Sequence, residues 1–257
     1  MDRWRGRVAL VTGASAGIGA SIARALAEHG MKVVGCSRNT ANIEKLREEI
    51  NSKTGGGFVT AIPCDVSKEE EVLAMFEKIR ADPNLGRVDV CINNAGLAHD
   101  APILTGDTGI KEWRHMFEVN VFGLLMCTKE SFKLMRENNI DDGHIILINS
   151  MSGIRQVKNK GGHCYGATKF AVTALREGIR NELRELKSGI RISQICPGLV
   201  ETEFASRHYD KAHAENVYSE IKCLQPDDIK DAVLYVLSAP RHVEVNDVMM
   251  RPTQQVF

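Results

Sequence analysis

The sequence lacks an excess of charge of either sign, a long apolar run and any closely spaced pair of cysteines. Its 33 lysines and arginines are balanced by 33 aspartates and glutamates, which argues against a surface for nucleic acid or anionic membranes. No stretch approaches the ~18 apolar residues of a membrane-spanning helix. The first residues also lack the apolar core and cleavage site of a signal peptide. We therefore expect a soluble, cytoplasmic protein without a membrane span.

The seven cysteines are widely spaced and include no C-x-x-C pair. An odd number without such pairs indicates reduced, mostly buried thiols. No cysteine or histidine spacing fits a zinc site, so we predict no metal. Cys164 lies beside Tyr165, but no histidine and asparagine pairing supports a thiol nucleophile. We expect a pocket-wall or core thiol there.

The sequence does contain a regular alternation of short β-branched runs and longer amphipathic stretches. The runs lie at 7–13, 32–37, 57–64, 88–93, 144–149, 190–196 and 243–250. The helix-like stretches lie near 17–29, 41–52, 68–81, 112–138, 165–187 and 226–238. Runs that are apolar on both faces predict parallel strands covered by helices. We predict an α/β fold, a Rossmann-type doubly wound parallel sheet of about seven strands with helices on both faces.

A glycine-rich turn, TGASAGIG over 12–19, follows the first run. Glycine allows a tight turn and a close approach to a pyrophosphate, which the N-terminus of the next helix can bind. The same residues would serve a plain strand-to-helix turn, but the strand–turn–helix context favours a dinucleotide site. We assign six of them to a cofactor: Gly13, Ser15, Ala16, Gly17, Ile18 and Gly19.

The end of the second run indicates which dinucleotide is used. Sites for NAD place an acidic residue here to bind the ribose 2′-hydroxyl, whereas this chain has Ser37, then Arg38 and Asn39. A guanidinium can pair with a 2′-phosphate through two hydrogen bonds. We therefore assign Arg38 and Asn39 to NADP(H), with NAD(H) as the second choice. The alternative is that Arg38 is only a solvated charge.

Tyr165 and Lys169 are four residues apart in HCYGATKFAV, fifteen residues after Ser150. This spacing places them on one face of a helix. A free phenol has a pKa near ~10 and is a poor base at neutral pH, but a neighbouring ammonium favours the phenolate. Together with the glycine turn and NNAG at 93–96, the pair predicts a nicotinamide-dependent carbonyl/alcohol oxidoreductase.

These residues resemble the short-chain dehydrogenase/reductase family across almost the whole chain. The matching motifs are TGASAGIG, Asp65, NNAG, Asn120 in EVNVFG, Ser150, Tyr165-x-x-x-Lys169 and PG at 197–198. Within the family, NSMSG, VETEF and the ending MMRPTQQVF look like the branch of dehydrogenase/reductase member 11 and the insect farnesol dehydrogenases. The resemblance implies one domain over 1–257, with a cofactor half over about 1–150 and a catalytic and substrate half over about 150–257.

The resemblance also implies a catalytic tetrad of Asn120, Ser150, Tyr165 and Lys169. Tyr165 would exchange the proton, Lys169 would tune it and hold the nicotinamide ribose, and Ser150 would bind the substrate oxygen. Asn120 would bend its helix and anchor a water. Ser152 is the second choice for the serine. Further implied cofactor contacts are Asp65, Val66, Asn94, Ala95, Gly96, Pro197, Gly198, Val200 and Thr202.

We predict an NADP(H)-dependent enzyme that interconverts a ketone or aldehyde and an alcohol on a mostly apolar substrate such as a ketosteroid, dicarbonyl or isoprenoid. The alternatives are a farnesol-type NADP+-dependent alcohol dehydrogenase and a nucleotide-sensing regulator without turnover. The segment 198–224 is a candidate substrate lid. The resemblance implies a homo-oligomer, a tetramer or dimer, that packs through the helices near 112–138 and 165–187. We hypothesise that the ending reaches a neighbouring subunit's site.

Overall fold

The seven apolar runs form seven parallel strands in a computed structural model, which describes residues 1–52, 57–107, 109–156, 161–204 and 221–256. The strands are β1 Val8–Thr12, β2 Lys32–Ser37, β3 Phe58–Pro63, β4 Val90–Asn93, β5 His144–Ile148, β6 Arg191–Pro197 and β7 Asp247–Met250. They make one sheet in the order β3-β2-β1-β4-β5-β6-β7. Every neighbouring pair is parallel. The predicted doubly wound sheet is confirmed.

Helices follow the strands at nearly the predicted positions. They are α1 Gly17–Glu28, α2 Ala41–Asn51, α3 Glu69–Ala81, α4 Ile110–Phe117, α5 Leu124–Glu137, α6 His163–Glu185 and α7 Pro226–Ser238. Short 3₁₀ turns lie at Asp2–Trp4 and Met151–Gly153. The single helix predicted near 112–138 is instead divided, because a π-helical segment at Glu118–Gly123 separates α4 from α5.

The alternation of side chains along the central strands separates two apolar cores. Val8 and Leu10 of β1 pack with Phe76 of α3 on one face of the sheet. Ala9 and Val11 pack with the helices α1, α2 and α7 on the other face. The strand order reverses between β1 and β4, and ligands of such sheets bind outside the carboxyl ends of the strands at this point. The fold therefore gathers the ends of β1, β4, β5 and β6 around one crevice.

All seven cysteines are buried and none forms a disulfide, as expected from their spacing. Within the described ranges, no helix is both long and apolar enough to cross a membrane. The described part of the chain also holds no group of three or more His, Cys, Asp or Glu side chains placed to bind a metal ion.

Candidate active site

The glycine turn between β1 and α1 requires glycine for reasons of both conformation and space. Gly13 and Gly17 adopt φ angles of 66° and 53°, in the left-handed region that side chains disfavour. A Cβ on Gly19 would collide with the Gly13 carbonyl oxygen and lie 2.5 Å from the Asn94 Nδ2. Helix α1 begins at Gly17, and Ala16 before it supplies no side-chain cap. The turn thus forms a cradle that fits a pyrophosphate.

The NNAG motif holds this turn in place. The Asn94 Nδ2 donates to the carbonyl oxygens of Thr12 and Gly13 at 2.9 and 3.2 Å. The Thr12 hydroxyl accepts from the backbone N–H groups of Asn94 and Ala95 at 3.0 and 2.9 Å. Sequence reasoning assigned Asn94 to the adenosine side of a cofactor and missed Thr12. In the structure the side-chain amide of Asn94 binds the turn itself, and a contact between Asn94 and the cofactor ribose stays a prediction.

Arg38 follows the end of β2, and its charge acts on Asp65, one of the predicted cofactor contacts. Arg38 is exposed, whereas Ser37 donates to the Asn39 carbonyl at 2.6 Å. Burial would raise the pKa of Asp65, but hydrogen bonds from the Ser67 hydroxyl and backbone amide and the charge of Arg38 hold it below its ordinary value. Arg38 therefore brings a positive charge to the carboxyl end of β2, and its contact with a cofactor stays a prediction.

Helix α6 carries the predicted pair, and Lys169 lies beside the ring of Tyr165. The Lys169 Nζ is 5.7 Å from the centre of that ring and donates to the Ile148 carbonyl at 3.1 Å. Only 6% of Lys169 is exposed, and burial lowers its pKa to about 8. The structure thus joins the end of β5, the phenol and a buried amine in one place.

Ser150 lies two residues after the end of β5 and caps the start of the 3₁₀ turn Met151–Gly153. Its hydroxyl oxygen accepts from the backbone N–H of Ser152 at 3.1 Å. A Cβ on Gly153 would lie 2.5 Å from the Lys169 carbonyl oxygen, so the turn packs closely against α6. Both serines are partly exposed, and the choice of Ser150 over Ser152 stays a prediction.

Asn120 is buried in the π-helical segment and joins it to two other parts of the site. Its Oδ1 accepts from the Leu97 N–H at 2.9 Å, and its Nδ2 donates to the Leu97 carbonyl at 2.8 Å. The Nδ2 also donates to the Thr168 hydroxyl at 3.0 Å, which in turn donates to the Tyr165 carbonyl at 2.7 Å. Sequence reasoning missed Thr168, although it lies inside the Tyr165–Lys169 motif. The predicted water contact of Asn120 stays a prediction.

The loop after β6 runs between the glycine turn and Tyr165. A Cβ on Gly17 would lie 3.1 Å from the Thr202 Cγ2, so the predicted contact residue Thr202 borders the cofactor cradle. The ring of Phe204, which sequence reasoning placed only in an amphipathic stretch, is 5.8 Å from that of Tyr165. Residues 205–220 of the candidate substrate lid lie outside the described residues.

The other predicted cofactor positions surround the same crevice. Pro197 ends β6, and Val200 forms an isolated bridge with Leu224. Val66 precedes α3, and a Cβ on Gly123 would lie 2.7 Å from the Val66 carbonyl oxygen. Of the remaining predicted positions, Ser15 lies in the glycine turn, Ile18 lies in the first turn of α1, and Gly96 lies in the NNAG motif.

Comparison with known proteins agrees with this geometry. The family described as short chain dehydrogenase matches residues 7–213. Dehydrogenase/reductase SDR family member 11 of Homo sapiens is 52% identical over 100% of this chain and 98% of the human protein. Farnesol dehydrogenase of Aedes aegypti is 38% identical over 100% of both chains. The closed form of a serine dehydrogenase complexed with NADP+ superposes with a TM-score of 0.86 at 31% identity, covering 97% of this chain and 96% of that one.

Proposed function

The chain belongs to the short-chain dehydrogenase/reductase family, and we propose that it interconverts a ketone or aldehyde and the matching alcohol with NADP(H). The observation that carries this proposal is the buried Lys169 amine 5.7 Å from the Tyr165 ring centre, at the strand ends that also hold Ser150 and the glycine cradle. A bound nicotinamide would supply or accept the hydride. We propose that residues 1–257 form one domain, with a cofactor half over about 1–150 and a catalytic and substrate half over about 150–257.

Each side chain has a separate task in the proposed reaction. As a carbonyl is reduced, negative charge grows on its oxygen, and Tyr165 donates a proton to that oxygen. Lys169 in its charged form stabilises the phenolate that remains. The hydroxyl of Ser150 donates a hydrogen bond to the same oxygen and so stabilises the developing charge. Asn120 holds the π-helical segment against α6 and anchors the water through which the proton is replaced.

We propose a mostly apolar carbonyl substrate. Ile103, Leu104 and Ile154 are 56%, 93% and 41% exposed, and they lie on the connections that follow the carboxyl ends of β4 and β5. The resemblance to the branch of dehydrogenase/reductase member 11, to whose human member this chain is 52% identical, is our reason for proposing a ketosteroid or dicarbonyl first. The 38% identity to the Aedes aegypti enzyme makes a farnesol-type alcohol dehydrogenase the second candidate.

The first experiment is NADPH oxidation over a panel of ketosteroids, α-dicarbonyls, farnesal and simple aldehydes. The parent is compared with Tyr165→Phe, which keeps the ring but has no proton to give. We expect turnover in the parent, and at least a ~100-fold lower kcat in the variant with an unchanged Kd for NADPH. Tight NADPH binding without turnover on any carbonyl would favour the nucleotide-sensing alternative.

We propose NADP(H) rather than NAD(H), because the Arg38 guanidinium stands at the edge of the crevice where NAD sites carry a carboxylate. The change Arg38→Asp removes a charge-assisted contact and adds repulsion. We expect it to raise the KM for NADPH by about tenfold or more relative to that for NADH. Steady-state kinetics with both cofactors measure this ratio, and equal changes in the two KM values would contradict the assignment.

We also propose that the protein works as a homo-oligomer, a tetramer or dimer, in the cytoplasm. The π-helical segment Glu118–Gly123 and the helix α6 leave Phe122 and Phe170 with 55% and 42% of their surface exposed, which supports contact between copies there. Seven buried thiols outside disulfides support a reducing compartment.

A further inference from the structure

The last residues of the chain return over the loop that follows β6. The Pro252 carbonyl accepts from the Gln255 N–H at 3.0 Å and forms a turn after β7. The Gln255 Oε1 then accepts from the backbone N–H of Leu199 at 3.0 Å. The Gln254 Oε1 accepts from the backbone N–H of Lys222 at 3.0 Å. Two neighbouring glutamines therefore contact both ends of one segment.

The two ends that the glutamines hold are also joined to each other. The Leu224 N–H donates to the Leu199 carbonyl at 3.0 Å, and the Glu201 N–H donates to the Leu224 carbonyl at 2.8 Å. The Gln225 Nε2 donates to the Glu201 Oε2 at 2.7 Å. The Leu199 N–H thus lies at the start of a small network, and its acceptor comes from the tail.

Gly198 shows how closely the tail covers this loop. A Cβ at this position would collide with the Gln255 Oε1 and lie 2.8 Å from the Arg251 Cβ. The Gly198 N–H also donates to the Met250 carbonyl at 2.7 Å. The glycine of the PG motif is therefore required for the tail to reach Leu199, which is a role separate from any cofactor contact.

The loop that the tail holds carries the side chains at the proposed reaction centre. Val200 follows Leu199, and Thr202 borders Gly17 of the cofactor cradle. The ring of Phe204 lies 5.8 Å from that of Tyr165. A shift of the Leu199 backbone would move these three side chains together, because only one to five residues of chain separate them from it.

We propose that Gln255, supported by Gln254, is a positioning residue that sets the loop after β6 for cofactor binding. The inference rests on the proposed function, since it assigns the loop to the nicotinamide side of an NADP(H) site. Gln255 belongs neither to the proposed tetrad nor to the glycine cradle. Gln255 acts through the Leu199 N–H. This N–H loses its acceptor when the side-chain amide oxygen of Gln255, Oε1, is removed.

The test compares Gln255→Leu, which keeps the size of the side chain without its acceptor, with Gln255→Glu, which keeps an acceptor oxygen. Thr253→Ala, at an exposed position two residues earlier, is the control. The Kd for NADPH is measured by nicotinamide fluorescence, and the Tm is measured with and without NADPH. For Gln255→Leu we expect a Kd about tenfold higher and a smaller rise of Tm on NADPH addition. Gln255→Glu should lie within about threefold of the parent.

The outcomes separate this inference from the proposed function. A parent that does not bind NADPH would overturn both. A parent that binds NADPH with a Gln255→Leu variant of equal Kd would overturn the positioning role alone. A Gln255→Glu variant as weak as Gln255→Leu would also overturn it, since an acceptor is still present. A carbonyl panel on the same variants should show an NADPH KM raised more than kcat is lowered.

Discussion

The buried amine of Lys169 costs the folded chain stability whenever it carries a proton. Burial lowers the pKa of Lys169 from 10.5 to about 8. Below pH 8 the amine is protonated in both the folded and the unfolded chain, and the full cost is present. Between pH 8 and 10.5 only the unfolded chain keeps the proton, so stability rises with pH through this window. A shift of this size corresponds to roughly 3 kcal/mol.

The change Lys169→Met should therefore stabilise the protein while it removes activity. At pH 7 and without cofactor, we expect the free energy of unfolding to rise by about 1–3 kcal/mol, less than the full cost because the bond to the Ile148 carbonyl is lost. The gain over the parent should shrink as pH rises from 8 to 10. Urea denaturation at several pH values measures it, with Lys45→Met on the exposed side of α2 as the control. A gain that is absent at pH 7, or constant with pH, would contradict the argument.

The two serines of the 3₁₀ turn can be separated by kinetics. Ser150 lies two residues after the carboxyl end of β5, and its oxygen already accepts from the Ser152 N–H, which fixes the position of its side chain. We expect Ser150→Ala to lower kcat by about 100-fold, as for the loss of one oxyanion donor. Ser152→Ala should change it by less than about threefold. Near-normal turnover in the Ser150 variant would transfer the role to Ser152.

At the scale of one element, the turn from β1 to α1 can be tested by a substitution at a single glycine. In Gly19→Ala the new Cβ collides with the Gly13 carbonyl oxygen, so the cradle must open. We expect the Kd for NADPH to rise by about tenfold or more and the Tm to fall.

The matched control for this change is Gly178→Ala on α6, where a Cβ meets nothing within 4 Å. There an alanine should stabilise the helix by about 0.5–1 kcal/mol and leave the Kd unchanged. Differential scanning calorimetry and NADPH fluorescence on both variants make the comparison. Equal Kd values for the Gly19 variant and the parent would mean that the cradle does not hold the cofactor.

The elements themselves could be predicted because each depends on a local pattern. The strand Val8–Thr12 is apolar on both faces, and the glycines after it indicate a tight turn into a helix. The π-helical segment Glu118–Gly123 could not be predicted in this way, since it depends on the Asn120 side chain meeting Leu97 and Thr168. The same holds for the tail, because Gln255 meets Leu199 across 56 residues of chain. Local patterns predict elements, whereas long-range hydrogen bonds decide how the site is held.

At the scale of the whole molecule, two exposed phenylalanines mark the surface at which we propose that copies of the chain meet. Phe122 lies at the π-helical segment and Phe170 on α6, one residue after Lys169. A contact between copies at these positions would cover apolar surface and would also hold the helix that carries Tyr165. Assembly and catalysis would then depend on the same helix.

Charges at these positions should break the assembly. We expect Phe122→Glu and Phe170→Glu each to lower the oligomer mass measured by size-exclusion chromatography with light scattering, since a buried unpaired carboxylate costs several kcal/mol. Leu73→Glu, at a residue of α3 that is 42% exposed, should leave the mass unchanged. If kcat falls together with the oligomer mass in both phenylalanine variants, the interface between copies also supports the helix α6 that carries Tyr165. Variants that keep the parent mass would exclude these helices as the interface, and a monomeric parent would exclude the oligomer itself.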